Sequence, residues 1–352
     1  MGTPTQYYVD PSLGSDTGDG TVGTPWGRAS GSVVQYSLDT ITQDTTNGDQ
    51  INIKSDQAVG VTTTTDDVLT AALTLATYGN PNFNYPLIFK GYTASEGDGG
   101  IGGISGDGSY SIMSNSNSWM VIDHLHLHNS GSAAVISIGT NNTLHASEID
   151  NTTGNGVAVS NGGFVSHCHI HNCGGVGITA GSGSAIMNNY LVNGTNDFSG
   201  AMSFSGTAGG TVSGNIMSLD GSSNGIAAQT TGWRMRSNSI LSNGGTGTGI
   251  KLSNGLPYVL TDNLIEGFSG VGGKGVDLGG GAVTVFLYGH NALYNNATDY
   301  SGSIENWLPV GDNESLGASP FAKSGADTFA NRFVYFAPVD TGNVHGGAYV
   351  GA

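Results

Sequence analysis

The sequence predicts an all-β chain wound as a single-stranded parallel β-helix, and two series of near-repeats carry the prediction. The first series reads Gly156-Val-Ala-Val, Gly175-Val-Gly-Ile, Ala201-Met-Ser-Phe, Gly225-Ile-Ala-Ala, Gly249-Ile-Lys-Leu and Gly275-Val-Asp-Leu. Each is a small residue, an apolar residue, any residue and an apolar residue, and the starts lie 19, 26, 24, 24 and 26 residues apart. A period in the twenties marks a solenoid, whose coils stack on their neighbours. Apolar residues two apart fall on one face of a strand. The second series runs out of phase with the first: Val165-Ser-His-Cys168-His-Ile-His-Asn172, Ile186-Met-Asn-Asn189-Tyr-Leu, Thr211-Val-Ser-Gly-Asn215-Ile, Met235-Arg-Ser-Asn238-Ser-Ile, Leu260-Thr-Asp-Asn263-Leu-Ile and Leu287-Tyr-Gly-His-Asn291-Ala-Leu. Asn189, Asn215, Asn238, Asn263 and Asn291 then form one column, which Ser147 and Cys168 continue. An amide at a sharp interior corner can bond the backbone there and the same amide one coil on. Polar groups that would otherwise be buried unpaired are satisfied in that way.

These repeats resemble the right-handed parallel β-helix family of pectate lyases and phage tailspikes, asparagine ladder included, over residues 49 to 300. The resemblance implies the fold and its right hand. It does not imply one reaction, because one fold hosts many activities.

In chain order, residues 1–48 read as an N-terminal strand, a loop and a capping helix, 49–296 as the β-helix, and 297–352 as a C-terminal cap or lid. Tyr7-Tyr8-Val9 is the strand, followed by the loop Gly14-Ser-Asp-Thr-Gly-Asp-Gly20. Residues 29 to 43 read as a short helix with Ser30 or Ser32 as N-cap. Such a helix would plug the first coil, whose end exposes apolar side chains and unpaired backbone. Gly48-Asp-Gln-Ile51-Asn-Ile53-Lys54 reads as the first coil strand, with further strands around Leu69–Leu75 and Pro86–Tyr92 and a loop from Gly97 to Gly108. Met120-Val-Ile-Asp-His-Leu-His-Leu-His128 opens the regular coils. Beyond 297 the repeat stops, and Trp307, Phe321, Phe329, Phe333, Tyr335, Phe336 and Tyr349 make an aromatic-rich cap. Ile304–Pro309 and Phe333–Ala337 read as its strands.

Composition excludes several classes. Apolar residues recur on schedule and make up 37% of the chain, which excludes disorder; the 60 glycines have no three-residue period, which excludes collagen. A net charge of -17 with only 9 Lys+Arg argues against nucleic acid as partner and disfavours electrostatic capture of anionic polymers or lipids. No stretch approaches the ~20 apolar residues of a membrane span. The first residues lack a charged leader followed by an apolar run, although a mature form can have lost one. Cys168 and Cys173 are the only cysteines; Cys168 sits in the ladder column and points inward, and two thiols do not identify a compartment.

Register gives the sharpest candidate site. His126 and His128, Glu148 and Asp150, and His169 and His171 occupy equivalent positions in three consecutive coils. Leu125, Leu127, Ile149 and Ile170 alternate with them and point inward, so the six form an outward patch. Imidazoles and carboxylates together can hold a transition metal or act as an acid/base pair. The bland reading is a solvent-facing sheet with favourable cross-strand pairs. His124 and His167 lie beside the patch, while His145 falls in another column and reads as buried.

Lys251 and Asp277, outward in adjacent coils, are a second candidate. The resemblance implies a basic residue that takes a proton next to a carboxylate, often with calcium held by acidic residues; the bland reading is a surface ion pair. Asp262 and His290 pair in the same way. Asp10, Asp16 and Asp19 can bind calcium or simply form a solvated turn. Ile122-Asp123-His124 is similar to a short pectate-lyase motif that any β-helix strand can produce by chance. No pair of carboxyls facing one groove declares itself for a glycosidase. The other outward positions of the first series, Ser137, Ala158, Gly177, Ser203 and Ala227, make a flat face suited to a neighbouring subunit or a glycan.

Three functions follow. The first is a virion surface protein, such as a phage tail fibre, spike or head decoration. It would bind a host glycan and meet other virion proteins, and the resemblance implies a homotrimer. The second is a polysaccharide lyase or hydrolase, secreted or virion-borne. The third is a bacterial surface adhesin. The first ranks highest because no leader and no convincing catalytic set stand out. No cofactor is required, though Ca2+ or a transition metal suits the acidic and histidine-rich stretches.

Overall fold

The computed structural model describes residues 2–13, 15–54, 66–75, 78–93, 95, 98, 100–114, 119–131, 133–193, 198–206, 208–229, 232–253, 258–279, 286–301, 307–309 and 314–315. The chain divides into two units, Met1–Ile178 and Thr179–Ala352, and each is wound as a parallel β-helix with three sheets.

In the first unit, Thr5–Val9, Asp49–Lys54, Leu87–Tyr92, Met120–Asp123, Thr143–His145 and Phe164–Ser166 pair in that order to form the first sheet. The second sheet runs Asp67–Val68, Gly102–Ser105, Leu125–His128, Glu148–Asp150, His169–His171. Met113–Ser114, Ile136–Ile138 and Val157–Val159 belong to the third. The strand Val176–Ala180 lies across the division. Leu127, Ile149 and Ile170 stack in register with essentially no exposure, which is the inner face expected from their alternation.

The second unit repeats the plan. Its first sheet is Ala185–Met187, Thr211–Ser213, Arg234–Arg236, Val259–Thr261, Phe286–Gly289 and Trp307–Pro309. The second is Tyr190–Val192, Ile216–Leu219, Ser239–Ser242, Leu264–Glu266, Ala292–Tyr294 and Glu314–Ser315. The third is Gly200–Phe204, Asn224–Ala228, Thr248–Leu252, Lys274–Asp277 and Thr298–Ser301.

One corner recurs between first and second sheets. A single residue turns the chain in the left-handed region: His124, Ala146 and His167 in the first unit, with φ of 54°, 44° and 55°. Asn188, Gly214, Ser237, Asp262 and His290 do so in the second, at 53–66°. A non-glycine residue there costs about 1 kcal/mol. The residue that follows offsets that cost. Asn189 Nδ2 donates to Asn215 Oδ1, Asn215 to Asn238, Asn238 to Asn263 and Asn263 to Asn291, at 3.0, 3.0, 3.0 and 2.9 Å. The backbone N–H of each donor residue shares the same oxygen at 3.0–3.1 Å. The other Nδ2 proton of Asn215, Asn238, Asn263 and Asn291 goes to the carbonyls of Ile186, Val212, Met235 and Leu260. In the first unit Ser147 Oγ accepts from Leu125 N and donates to His145 O, and Cys168 Sγ lies 3.3 Å from Ser166 O. Both cysteines are free and buried.

The helix forms at Val33–Thr40, and Ser32, not Ser30, is its N-cap, accepting from Gln35 N at 2.9 Å. Asp67 also caps it, accepting from Val33 N and Val34 N at 2.9 and 3.3 Å. Burial pushes the Asp67 carboxyl up despite those bonds and the hydroxyl of Ser32. Val33, Val34 and Leu38 are buried as the helix packs on the first two strands. Among the described residues no helix is long and apolar enough to cross a membrane.

Two expected elements differ. The stretch Leu69–Leu75 is not a strand; pairing there is limited to Asp67–Val68 and an isolated bridge from Leu73 to Met113. The glycine-rich run expected as a loop contains the strand Gly102–Ser105. A Cβ on Gly102 would meet Ile53 O at 2.5 Å, and one on Gly103 would collide with the Asp66 carboxylate, so close packing rather than turning selects glycine there. Trp307–Pro309 is a strand as expected, while Ile304, the strand Phe333–Ala337 and the aromatic cap from Phe321 to Tyr349 lie outside the described residues.

Lys54 Nζ lies 2.7 Å from Asp10 Oδ2. Burial opposes the Asp10 charge, but the bonds from Lys54 and Ser12 outweigh it and hold the carboxyl below its ordinary value of 3.8. A carboxyl lowered on folding stabilises above its unfolded pKa, and the contribution disappears as pH falls through the folded one. Asp10→Asn is therefore expected to cost about 1 kcal/mol at neutral pH. In urea melts the gap between variant and parent should close below pH 3.8, and a gap independent of pH would refute the ion-pair account.

Candidate functional site

The recurring corner brings titratable groups together on the outside of the first unit. Asp123 ends a first-sheet strand with its side chain outward, His124 is the left-handed corner that follows, and His145 lies in register on the next coil. Asp123 Oδ1 is 2.7 Å from His124 Nδ1 and 2.9 Å from His145 Nδ1. An ionised carboxylate only accepts, so both rings donate Nδ1–H to it and the neutral rings keep Nε2 as a bare acceptor. The side chains of Asp123, His124 and His145 are 19%, 32% and 40% exposed. The His167 ring follows 5.3 Å beyond His145. The sequence misplaces His145, which is half-exposed rather than buried. Its signal was the register that puts Leu144 over Ile122 and hence His145 over Asp123.

The six-residue patch assembles as the register requires, with His126 over Glu148 and Glu148 over His169. It is not a solvent-facing sheet, because His126, His128 and Glu148 are buried. Asp66 accounts for part of the cover, bonding His128 Nε2 through Oδ2 at 2.6 Å. His126 Nε2 meets Asp150 Oδ1 at 3.0 Å, and His171 Nε2 meets Glu148 Oε1 at 2.9 Å. The rings stack in pairs, His126 on His128 with centroids 4.3 Å apart and His169 on His171 at 4.2 Å. Burial works against a charged Glu148, yet the bonds from His169 and His171 and the charge of His126 hold its carboxyl far below the usual range. Burial lowers His169; for His126 burial acts in the same sense, but the Asp150 carboxylate prevails and raises it.

The other candidates stay apart. Lys251 and Asp277 are register partners in the second unit, but Asp277 bonds Lys274 at 2.8 Å instead, and Lys251 is exposed. Lys274 outweighs burial and lowers the Asp277 carboxyl. Asp262 and His290 are both left-handed corner residues. Asp10 bonds Lys54 and Ser12, Asp16 accepts from Ala29 N, and Asp19 binds Thr21 and Thr24. Among the described residues, triads with ligand atoms within 4.8 Å of one another are Asp66–His126–His128, Asp123–His124–His145 and Glu148–His169–His171; the three N-terminal aspartates form none.

A family model described as right handed beta helix region matches residues 110–298. No curated protein matches the chain. Among solved structures, pectate lyase Pel9A is similar with a TM-score of 0.51 at 11% identity, over 95% of this chain and 85% of that one. A mannuronic acid specific polysaccharide family 6 lyase from human gut microbiota gives 0.46 at 12% identity, over 80% and 81%. The catalytic unit of the GH87 alpha-1,3-glucanase from Streptomyces thermodiastaticus strain HF3-3 gives 0.45 at 10%, over 94% and 72%. At these identities the likeness is one of fold.

Proposed function

The chain belongs to the right-handed β-helix family, and from that premise we propose that it is a polysaccharide-cleaving enzyme that moves protons at the Asp123–His124–His145 corner. One observation carries the reading: a partly exposed carboxylate bonded through Nδ1 to two half-exposed imidazoles from adjacent coils, which leaves each Nε2 free of that bond. The carboxylate fixes the tautomer and steadies the imidazolium formed when a ring takes a proton. A glycosidase of the usual kind needs two facing carboxyls, and this corner has one, so elimination suits it better than hydrolysis. In that step a ring Nε2 takes the proton α to a uronate carboxylate. The electron pair left behind forms the ring double bond, and the glycosidic oxygen leaves with a proton from water or from the imidazolium that has just taken one.

An extended polymer suits the surface. Exposed Phe83 and half-buried Trp119 form an edge-to-face pair, with centroids 5.2 Å apart. Trp119 immediately precedes the strand that ends in Asp123, about 13 Å away along the strand. A pectate lyase shares the fold.

The sequence ranks a virion surface role first for want of a catalytic set, and the contact between Asp123 and His145, 22 residues apart, reverses that order. The virion reading keeps one support: Ser137 and Ala158 in one unit, and separately Ser203 and Ala227 in the other, are register partners on a third-sheet strand pair, each a flat stretch able to meet another subunit. Both readings place the protein outside the cell or on a virion. The test is turnover on a panel of uronate-containing and neutral polysaccharides, followed by ultraviolet absorbance of unsaturated products and by reducing ends. Unsaturated products are expected from a uronate polymer. Glycan binding without product on any polymer would return the virion reading to first place.

A further inference from the structure

We propose that Glu148, His169 and His171 bind a divalent transition-metal ion of the Zn2+ class on the second sheet of the first unit. The site uses other residues than the Asp123 corner and does not depend on its reaction. His169 and His171 leave one strand two residues apart, so both rings project from the same face, while Glu148 reaches them from the adjacent coil. Tetrahedral zinc with bonds of about 2.0–2.1 Å sets its ligand atoms about 3.3 Å apart. The separations here bracket that value: Glu148 Oε1 lies 2.9 Å from His171 Nε2 and 3.6 Å from His169 Nδ1.

A second observation points to a ligand. Glu148 is 2% exposed, and its Oε2 has no hydrogen-bond partner among the described residues. A buried carboxylate oxygen left bare is costly, and a cation that the carboxylate grips through both oxygens would satisfy it. The surroundings supply an outer shell. Asp150 Oδ2 lies 3.9 Å from His171 Nε2, and its Oδ1 anchors His126. The Asn172 amide lies 3.0 Å from His171 Nδ1; turned so that its oxygen accepts the Nδ1 proton, it fixes the tautomer that leaves Nε2 for the metal. Two imidazoles and one carboxylate suit Zn2+, Co2+ or Fe2+ and not Ca2+, which takes six or more oxygens. His169 and His171 keep 17% and 16% of their side chains exposed, so a fourth position opens outward to water or a ligand.

The test titrates chelator-stripped full-length protein with Zn2+ and with Co2+, by calorimetry and visible absorption. One equivalent of Co2+ is expected to give the intense bands of a four-coordinate nitrogen–oxygen site, and Zn2+ to displace it. Glu148→Gln and His169→Ala should each weaken binding about 100-fold, while His290→Ala leaves it unchanged. Should a variant misfold, the stoichiometry and Co2+ spectrum of the parent still decide. No binding, a weak six-coordinate spectrum, or affinity untouched by both variants would each overturn the assignment.

Discussion

Turnover on the productive polysaccharide is expected to fall about 10²- to 10⁴-fold in His145→Ala, and by a similar factor in Asp123→Asn. The two substitutions act on one hydrogen bond from opposite ends, so the double variant should lose little more than either single one. Both Nδ1–H groups converge on one Asp123 oxygen, so Asn keeps the shape but removes the negative charge that steadies an imidazolium, and its amide N–H, turned inward, binds the wrong tautomer. Because the proton moves only in the transition state, kcat should fall while KM holds. Folding is not at stake: His145 is 40% exposed, and exposed positions usually change stability by under about 0.5 kcal/mol. Undiminished turnover in both variants, with loss in Lys251→Ala, would move the chemistry to the Lys251–Asp277 pair.

Asn238→Ala is expected to destabilise the second unit by about 3–5 kcal/mol. The side chain has no exposure and closes a run of bonds. It accepts from the N–H and Nδ2 of Asn215, and it donates to Val212 O and Asn263 Oδ1. Alanine leaves the Asn215 N–H and Val212 O buried without these partners, where water cannot replace them. The neighbouring Ser237→Gly makes the control. Ser237 has φ 53°, so glycine relieves the corner and should be neutral or slightly stabilising. Denaturant melts followed by circular dichroism separate the two. A loss below about 1 kcal/mol for Asn238→Ala would mean that the ladder contributes nothing beyond an ordinary bond.

The ladder was legible because identical amides recur at one phase of a fixed period, and only stacking in register explains that recurrence. The outward histidines were legible for the same reason, since Leu127, Ile149 and Ile170 fix the inner face and everything alternating with them must point out. Their burial was not. It comes in part from Asp66, 62 residues from His128, and no local pattern announces a contact at that range. His145 was missed because the corner at Ala146 separates two sheets. Counting positions on the second sheet says nothing about what lies over Asp123 on the first. The strand at Gly102–Ser105 hid behind glycines that composition associates with loops, whereas Ile53 and Asp66 leave no room there for a Cβ.

The column from Asn189 to Asn291 has a polarity of its own. Each amide-to-amide bond runs from the earlier coil to the later one, so these four bonds point the same way and reinforce one another. The row acts as a small electret inside an apolar sleeve, positive toward Asn291 and negative toward Asn189. A carboxylate engineered near the Asn291 end should sit more comfortably than a lysine, and the preference should reverse at Asn189.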